Sequence, residues 1–250
     1  MLARGYPGCL QYTNMGPRAG GAAISALPPG ANPAIITKGP VPMSRLLEIH
    51  PQTPQPRLVK QAAQAIAAGG ILVVPTDSGY ALACRLEDKN ALERIARIRR
   101  DEGPHHMTLS VRDLSELGVY AKVDNVQFRF LKTHIPGPYT FILAATREVP
   151  RRLQHEKKRS IGLRVPEHPV LRAILDALDA PLLSASLVIP DLGEPLDDPA
   201  LFPAAVNNQV DQVVSAGFIE QQPGTVIDLT GEGVEILREG LGGIPPELTD

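Results

Sequence analysis

The hexapeptide Pro75-Thr76-Asp77-Ser78-Gly79-Tyr80 gathers two hydroxyls, a glycine and an aromatic ring directly behind the apolar run at residues 71–74. Ligands of open α/β sheets collect at the carboxyl ends of strands. If residues 71–74 form a buried strand, Thr76 and Ser78 stand where they can bond a ligand, Gly79 lets the backbone approach it, and Tyr80 adds an aromatic wall. An ordinary polar turn has the same composition, and both readings stay open here.

A second candidate spans residues 147–164, where seven basic residues (Arg147, Arg151, Arg152, Lys157, Lys158, Arg159 and Arg164) stand against two glutamates. Such a block serves either as a solvated face or as a local phosphate-binding patch. Arg164 differs from the others because it alternates with Leu163 and Val165 in a β-like run. It therefore points opposite to them, held on a strand that suits bidentate recognition of phosphate or carboxylate. Ser184 and Ser186 share one face of the apolar run at 182–188, where they can bond a phosphate or bond back into the core. Arg238, followed by Glu239 and Gly240, fits a phosphate contact or a surface salt bridge.

Other chemistries lack their residues. His105-His106 are adjacent, so on an extended chain they face opposite ways, and no third ligand stands at metal spacing; no structural metal is expected. No Gly-Lys-Thr phosphate loop, dinucleotide glycine fingerprint or nucleophile elbow occurs. Only Cys9 and Cys84 are present, which fits a reducing compartment and predicts a cytoplasmic location. The net charge of −2 excludes a binder that holds nucleic acid through its whole surface, so contact with phosphate must be local. No run of 18 apolar residues appears, so no membrane segment is expected.

These groups need elements to hold them. Residues 1–42 contain seven Gly, seven Pro and three basic residues without an acid, and read as a flexible leader; Met43 is an alternative start. The domain is expected over 43–243, with a tail at 244–250. From Leu46 onward helix and strand signals alternate, the signature of an α/β fold. Leu58, Val59, Ala62, Ala63 and Ile66 share a helical face ended by Gly69-Gly70, and residues 71–74 follow as a strand. Asp88 caps a helix carrying Leu92, Ile95, Ala96 and Ile98, and residues 107–111 form a short strand. A helix begins at Asp124 and breaks at Pro136-Gly137-Pro138. Strands are expected at 139–144, 161–165 and 182–188, a helix at 169–178, and β-like runs at 225–229 and 234–238.

In order, these segments make the chain resemble the YrdC/YciO-like family, which includes threonylcarbamoyl-AMP synthases, and its YciO branch in particular. The marks are Gly69-Gly70 with residues 75–80, Pro136-Gly137-Pro138-Tyr139-Thr140, Ile161-Gly162-Leu163-Arg164-Val165-Pro166, Thr225-Val226-Ile227-Asp228 and Arg238-Glu239-Gly240. Val149-Pro150-Arg151-Arg152-Leu153 with Lys157-Lys158 marks the branch. The resemblance implies a twisted mixed sheet with helices around a concave, positively charged cavity that binds a nucleotide or double-stranded RNA. For synthases it implies that L-threonine, bicarbonate and ATP, with magnesium on the triphosphate, give threonylcarbamoyl-AMP and pyrophosphate on the way to tRNA modification. Carried over by position, Thr76, Ser78, Tyr80 and Thr140 line the threonine side. Arg99, Arg164, Ser184, Ser186 and Arg238 face the phosphates, with Arg99 and Arg164 catalytic, and Arg151, Arg152, Lys157, Lys158 and Arg159 contact RNA.

The chain departs from the synthase pattern twice. Arg99 and Asp101 stand where synthases carry Lys-x-Arg, and Ser186-Leu187-Val188 stands for Ser-x-Asn. An anion at 101 repels a triphosphate, by about 1 kcal/mol even in a screened site. Three functions follow: a synthase, a nucleotide- or RNA-binding module, or an enzyme acting on another carbamoyl or adenylated compound near Asp101 and His105.

Overall fold

The computed structural model describes residues 45–100, 107–189 and 195–248. The leader at 1–42, Met43, Asp101 and His105-His106 lie outside the described residues. The elements are β1 (Leu46–Glu48), α1 (Pro56–Ala67), β2 (Leu72–Thr76), β3 (Gly79–Arg85), α2 (Lys89–Arg99) and β4 (Thr108–Ser110), followed by α3 (Leu114–Tyr120), α4 (Asn125–His134), β5 (Tyr139–Ala144) and β6 (Ser160–Arg164). Then come α5 (Pro169–Leu178), β7 (Leu182–Ser186), α6 (Ala204–Asn207), β8 (Gln212–Ser215), β9 (Thr225–Asp228) and β10 (Glu235–Arg238).

Local chemistry sets most of the boundaries. Proline occupies the first turn of α1, where its missing N–H is no loss, and Gly69 at φ +89° takes the left-handed position beyond the helix end. The Asp88 carboxylate accepts from Ala91 N at 2.9 Å to start α2, and Asp124 forms a reciprocal capping box with Gln127 at α4. These starts agree with the sequence. Five elements were not anticipated: β1, β3, α3, α6 and β8. Two of them, β1 and β8, are three and four residues long, and β3 is rich in alanine, so none of the three carries a strong strand signature of its own. Residues 75–80 form the tip of a hairpin in which Thr76 pairs with Gly79.

One mixed sheet contains all ten strands in the order β1-β8-β2-β3-β7-β4-β6-β5-β9-β10. Alternation along the strands divides the core. On one face Leu82, Leu109, Leu163, Leu183 and Phe141 pack with Ile95 of α2, Leu117 of α3 and Leu131 of α4. On the other, Leu72, Val74, Ala83, Leu182 and Val214 pack under α1 and α5. That second cluster stops at β7. The same face of β4, β6, β5 and β9 continues beyond the two helices and carries the polar residues described next. Among the described residues, no helix is long and apolar enough to cross a membrane.

Candidate functional site

Strand register places the small polar residues in rows. Ser184 pairs with Thr108, Thr108 with Gly162, and Gly162 with Ile142, so these four lie side by side across β7, β4, β6 and β5. Two residues along, Arg164 pairs with Ser110. Thr140 precedes Phe141, the partner of Leu163, and so stands beside Arg164; it pairs in turn with Val226, which pairs with Arg238. Thr108, Thr140, Gly162 and Val226 are half-buried in mid-sheet positions that a covering helix would close off.

Arg164 is the centre of this face. It is 9% exposed, and its Nη2 donates to Asp77 Oδ2 at 2.9 Å while Nη1 donates to Ser78 Oγ at 3.0 Å. Its Nε is buried without a hydrogen-bond partner. Asp77 also accepts from Glu167 N at 3.1 Å and His168 N at 2.6 Å, so one carboxylate joins the β2–β3 turn, the end of β6 and the start of α5. Four strand steps separate β2 from β6, and a sheet twist of about 20–25° per step turns β6 nearly across β2. The twist lets these distant segments meet. Burial pushes the Arg164 guanidinium below its usual value, Asp77 opposes that shift, and nearby Arg238 adds to it. Arg238 is exposed, with Nε donating to Gly224 O at 3.0 Å.

The other residues expected in the site divide into several groups. Thr76 is buried and its hydroxyl donates to Gly79 O at 2.6 Å, while Ser78 N donates to Thr76 Oγ1 at 3.2 Å; both shape the turn. Tyr80 is placed otherwise than expected. It is 2% exposed, its hydroxyl donates to Gly217 O at 2.6 Å and accepts from Ala216 N at 3.0 Å, and its ring meets Phe202 edge-on. Burial raises its pKa to about 12, so it anchors the chain after β8 in the core rather than forming an open wall. Ser184 Oγ lies 3.1 Å from Ser110 Oγ and donates to Thr108 O at 3.3 Å, whereas Ser186, opposite Ala81, is exposed. Arg99 is half-buried in the last turn of α2, the helix packed on the other face, and that position does not by itself join it to the row.

The basic stretch also divides. Arg151, Lys157 and Arg159 are exposed, and Arg152, also exposed, donates to Glu87 O at 3.0 Å. Lys158 does something else: Nζ donates to Asp228 Oδ2 at 2.8 Å, and Asp228 is only 3% exposed. A groove of about 490 Å³ beside this pair is lined by Thr230, Gly231 and Glu235, and another of about 480 Å³ lies at Arg112, whose guanidinium is held by Glu116 and Asp179. Neither groove contains Arg164.

Asp77, Thr108, Ser110 and Gly162 were not singled out from the sequence. Thr108 and Ser110 alternate with Met107, Leu109 and Val111, so their shared face was available as a signal. The importance of Asp77 was not, because its partners lie about 90 residues away.

Fold and site together define an α/β protein in which, among the described residues, no helix covers one half of one sheet face, and that half is polar around a buried arginine. Comparison with known proteins places it. The family model described as "Sua5_yciO_yrdC: Telomere recombination" matches residues 64–240, and the chain belongs to this Sua5/YciO/YrdC family. It is 50% identical over 206 residues to the protein YciO of Escherichia coli strain K12, covering 82% of this chain and 100% of that one. The crystal structure of E. coli YciO superposes with a TM-score of 0.76, covering 81% of this chain and 98% of the other. The crystal structure of P. abyssi Sua5 complexed with L-threonine shares the fold at a TM-score of 0.69 and 23% identity, covering 78% of this chain and 57% of Sua5.

Proposed function

We propose that the open polar row binds ATP and L-threonine and carries out threonylcarbamoyl-AMP synthase chemistry. The observation that carries the reading is Arg164, a nine-tenths buried cation with one unsatisfied donor, beside Arg238 and with a single balancing carboxylate. A buried guanidinium with an unsatisfied donor is stabilised by a further acceptor, and a phosphoryl or carboxylate group supplies one. The fold neighbour Sua5, whose crystals hold L-threonine, supports the amino-acid half.

In the reaction, the amine of L-threonine and bicarbonate form a carbamate with loss of water. A carbamate oxygen attacks the α-phosphorus of ATP, the α–β bridging P–O bond breaks, and pyrophosphate leaves. Arg164 and Arg238 orient the phosphate groups and offset charge that builds up as the bridge breaks. Ser78, bonded to Arg164, and Thr140, beside it, stand within the same region for the smaller substrate. Magnesium accompanies ATP as part of the substrate and neutralises the triphosphate.

A second reading rests on a different observation. Val188, half-buried just past β7, offers methyl groups where the synthase pattern has an amide, and Arg151, Arg152 and Lys157 are exposed. It describes a nucleotide- or RNA-binding protein without synthase activity. Pyrophosphate release measured with and without threonine and bicarbonate separates the two. Release requiring both substrates, and lowered about a hundredfold or more by Arg164→Ala, is the synthase outcome. No release above background, with ATP still raising the melting temperature, leaves the binding reading.

A further inference from the structure

The chain beyond β10 turns round the end of the sheet and meets Tyr139 and the end of α4, whose Phe130 packs with Tyr139 on the core of the helix-covered face. Its first contacts are with the segment before β9. Leu241 N donates to Pro223 O at 2.9 Å, Gly240 N donates to Thr225 Oγ1 at 3.1 Å, and that hydroxyl donates to Gly243 O at 3.2 Å. Gly242 then lies against the ring of Tyr139, where a Cβ would come within 2.6 Å of Cε1, and the Tyr139 hydroxyl donates to Gly242 O. Little apolar burial follows: between 241 and 248 Pro245 is buried, whereas Leu241 and Ile244 are exposed. Further along, Glu247 Oε1 meets Nε2 of His134, at the end of α4, at 3.3 Å.

We propose that residues 240–248 form a strap with a pH-sensitive clasp, His134 against Glu247, closed while the imidazole carries both ring protons and weakened once it loses one. The surroundings of the ring fix its protonation state. His134 Nδ1 lies 2.7 Å from Phe130 O, and a carbonyl oxygen has no proton to give, so Nδ1 is the donor. The Thr133 hydroxyl, 2.9 Å from Nδ1, already donates to Phe130 O at 2.8 Å and can only accept from the ring. On the other side of the ring the Glu247 carboxylate likewise only accepts, so Nε2 donates as well. A ring that donates from both nitrogens is an imidazolium, and its side chain is only 9% exposed. The remaining groups against it do not replace that charge. Phe130 and Tyr139 present rings at centroid distances of 4.5 and 5.6 Å, the Tyr139 hydroxyl is committed to Gly242, and Lys132 on the same helix is exposed. With a single proton left, Nδ1 keeps it for Phe130 O, and an Nε2 lone pair faces the carboxylate. An ordinary imidazole loses its second proton near a pH of about 6.5, so the clasp is present below this range and is lost as pH rises through it. It lies against the helix-covered face, apart from the polar row, and needs no bound ligand.

Hydrogen exchange of the full chain, read by mass spectrometry at about pH 5.5 and about pH 8.5 and normalised to the intrinsic rate at each, tests it. Protection of the 241–248 peptide, which includes the Leu248 amide bonded to Pro245 O, is expected to fall about threefold or more at the higher pH, the scale of one partly exposed ion pair. A peptide from β7 reports global stability and should change less. Glu247→Gln should abolish the difference between the two pH values, because an amide both accepts from and donates to the ring. His134→Gln should do the same, because its amide donates at either pH. Glu247 is exposed, so its variant keeps the fold and decides the matter even where His134→Gln does not fold. Equal protection of the wild-type strap at both pH values overturns the proposal. A pH dependence of unchanged size in Glu247→Gln overturns it too, as does a loss of protection shared equally by the β7 peptide, which would belong to the whole fold.

Discussion

At the scale of single residues, His168 shows how position fixes a protonation state. Its Nδ1 accepts from Val170 N at 3.3 Å as the cap of α5, so the neutral tautomer carries its proton on Nε2. Burial holds its pKa below the usual 6.5, against the opposing charge of Asp77. The unfolded chain therefore binds this proton at a higher pH than the folded one does. Stability from His168 is fully present above pH 6.5 and is lost as pH falls from there toward the folded pKa, with a slope of at most about 1.4 kcal/mol per pH unit. Urea denaturation across this range should show the slope in the wild type, and His168→Asn, which keeps a capping acceptor but does not titrate, should flatten it. An identical slope in the variant assigns the effect to other groups. Tyr80 carries a related lesson: its type and place suited a ligand wall, but two backbone hydrogen bonds commit its hydroxyl to the core.

At the scale of elements, the β2–β3 turn, the end of β6 and the start of α5 form one unit through Asp77. The Asp77 and Arg164 side chains are 10% and 11% exposed, so removing the carboxylate leaves a guanidinium buried without its counter-charge and two backbone N–H groups without their acceptor. Asp77→Ala should cost about 3–5 kcal/mol, read as a lower urea midpoint at unchanged m-value. A loss below about 1 kcal/mol would mean that the turn and α5 are held by packing alone. The same unit explains why Arg164 was recognisable as a special arginine while its setting was not. Alternation with Leu163 and Val165 gives the direction of its side chain, but its partners come from other elements.

At the scale of the whole molecule, among the described residues helices cover one face of the sheet broadly and the other only as far as β7, and that asymmetry leaves the polar row open. It also sorts the basic stretch by role. If RNA binds this chain, the contacts belong to the exposed Arg151, Arg152, Lys157 and Arg159, whereas Lys158 serves the fold through buried Asp228. Replacing those four by alanine should weaken binding of a double-stranded RNA and lower the slope of log affinity against log salt by about 3–4, with the melting temperature unchanged. Lys158→Ala should instead lower the melting temperature and change the salt slope by no more than about 1. An unchanged slope in the quadruple variant would remove this stretch from the RNA surface.

Local signals reach a definite limit in this chain. Apolar periodicity, the Asp88 and Asp124 caps, the glycine pair at 69–70 and the order of short motifs were enough for the α/β class, most of the strands and the family. These depend on neighbours within a few residues, where backbone propensity and capping act. The parts decided only by tertiary structure are the pairing of Asp77 with Arg164, the burial of Tyr80 and the diversion of Lys158 to Asp228. Each depends on which strands become neighbours and on how far the sheet twists across them. That arrangement is a property of the packed sheet as a whole, and the residues that meet there are tens to more than a hundred positions apart in the chain.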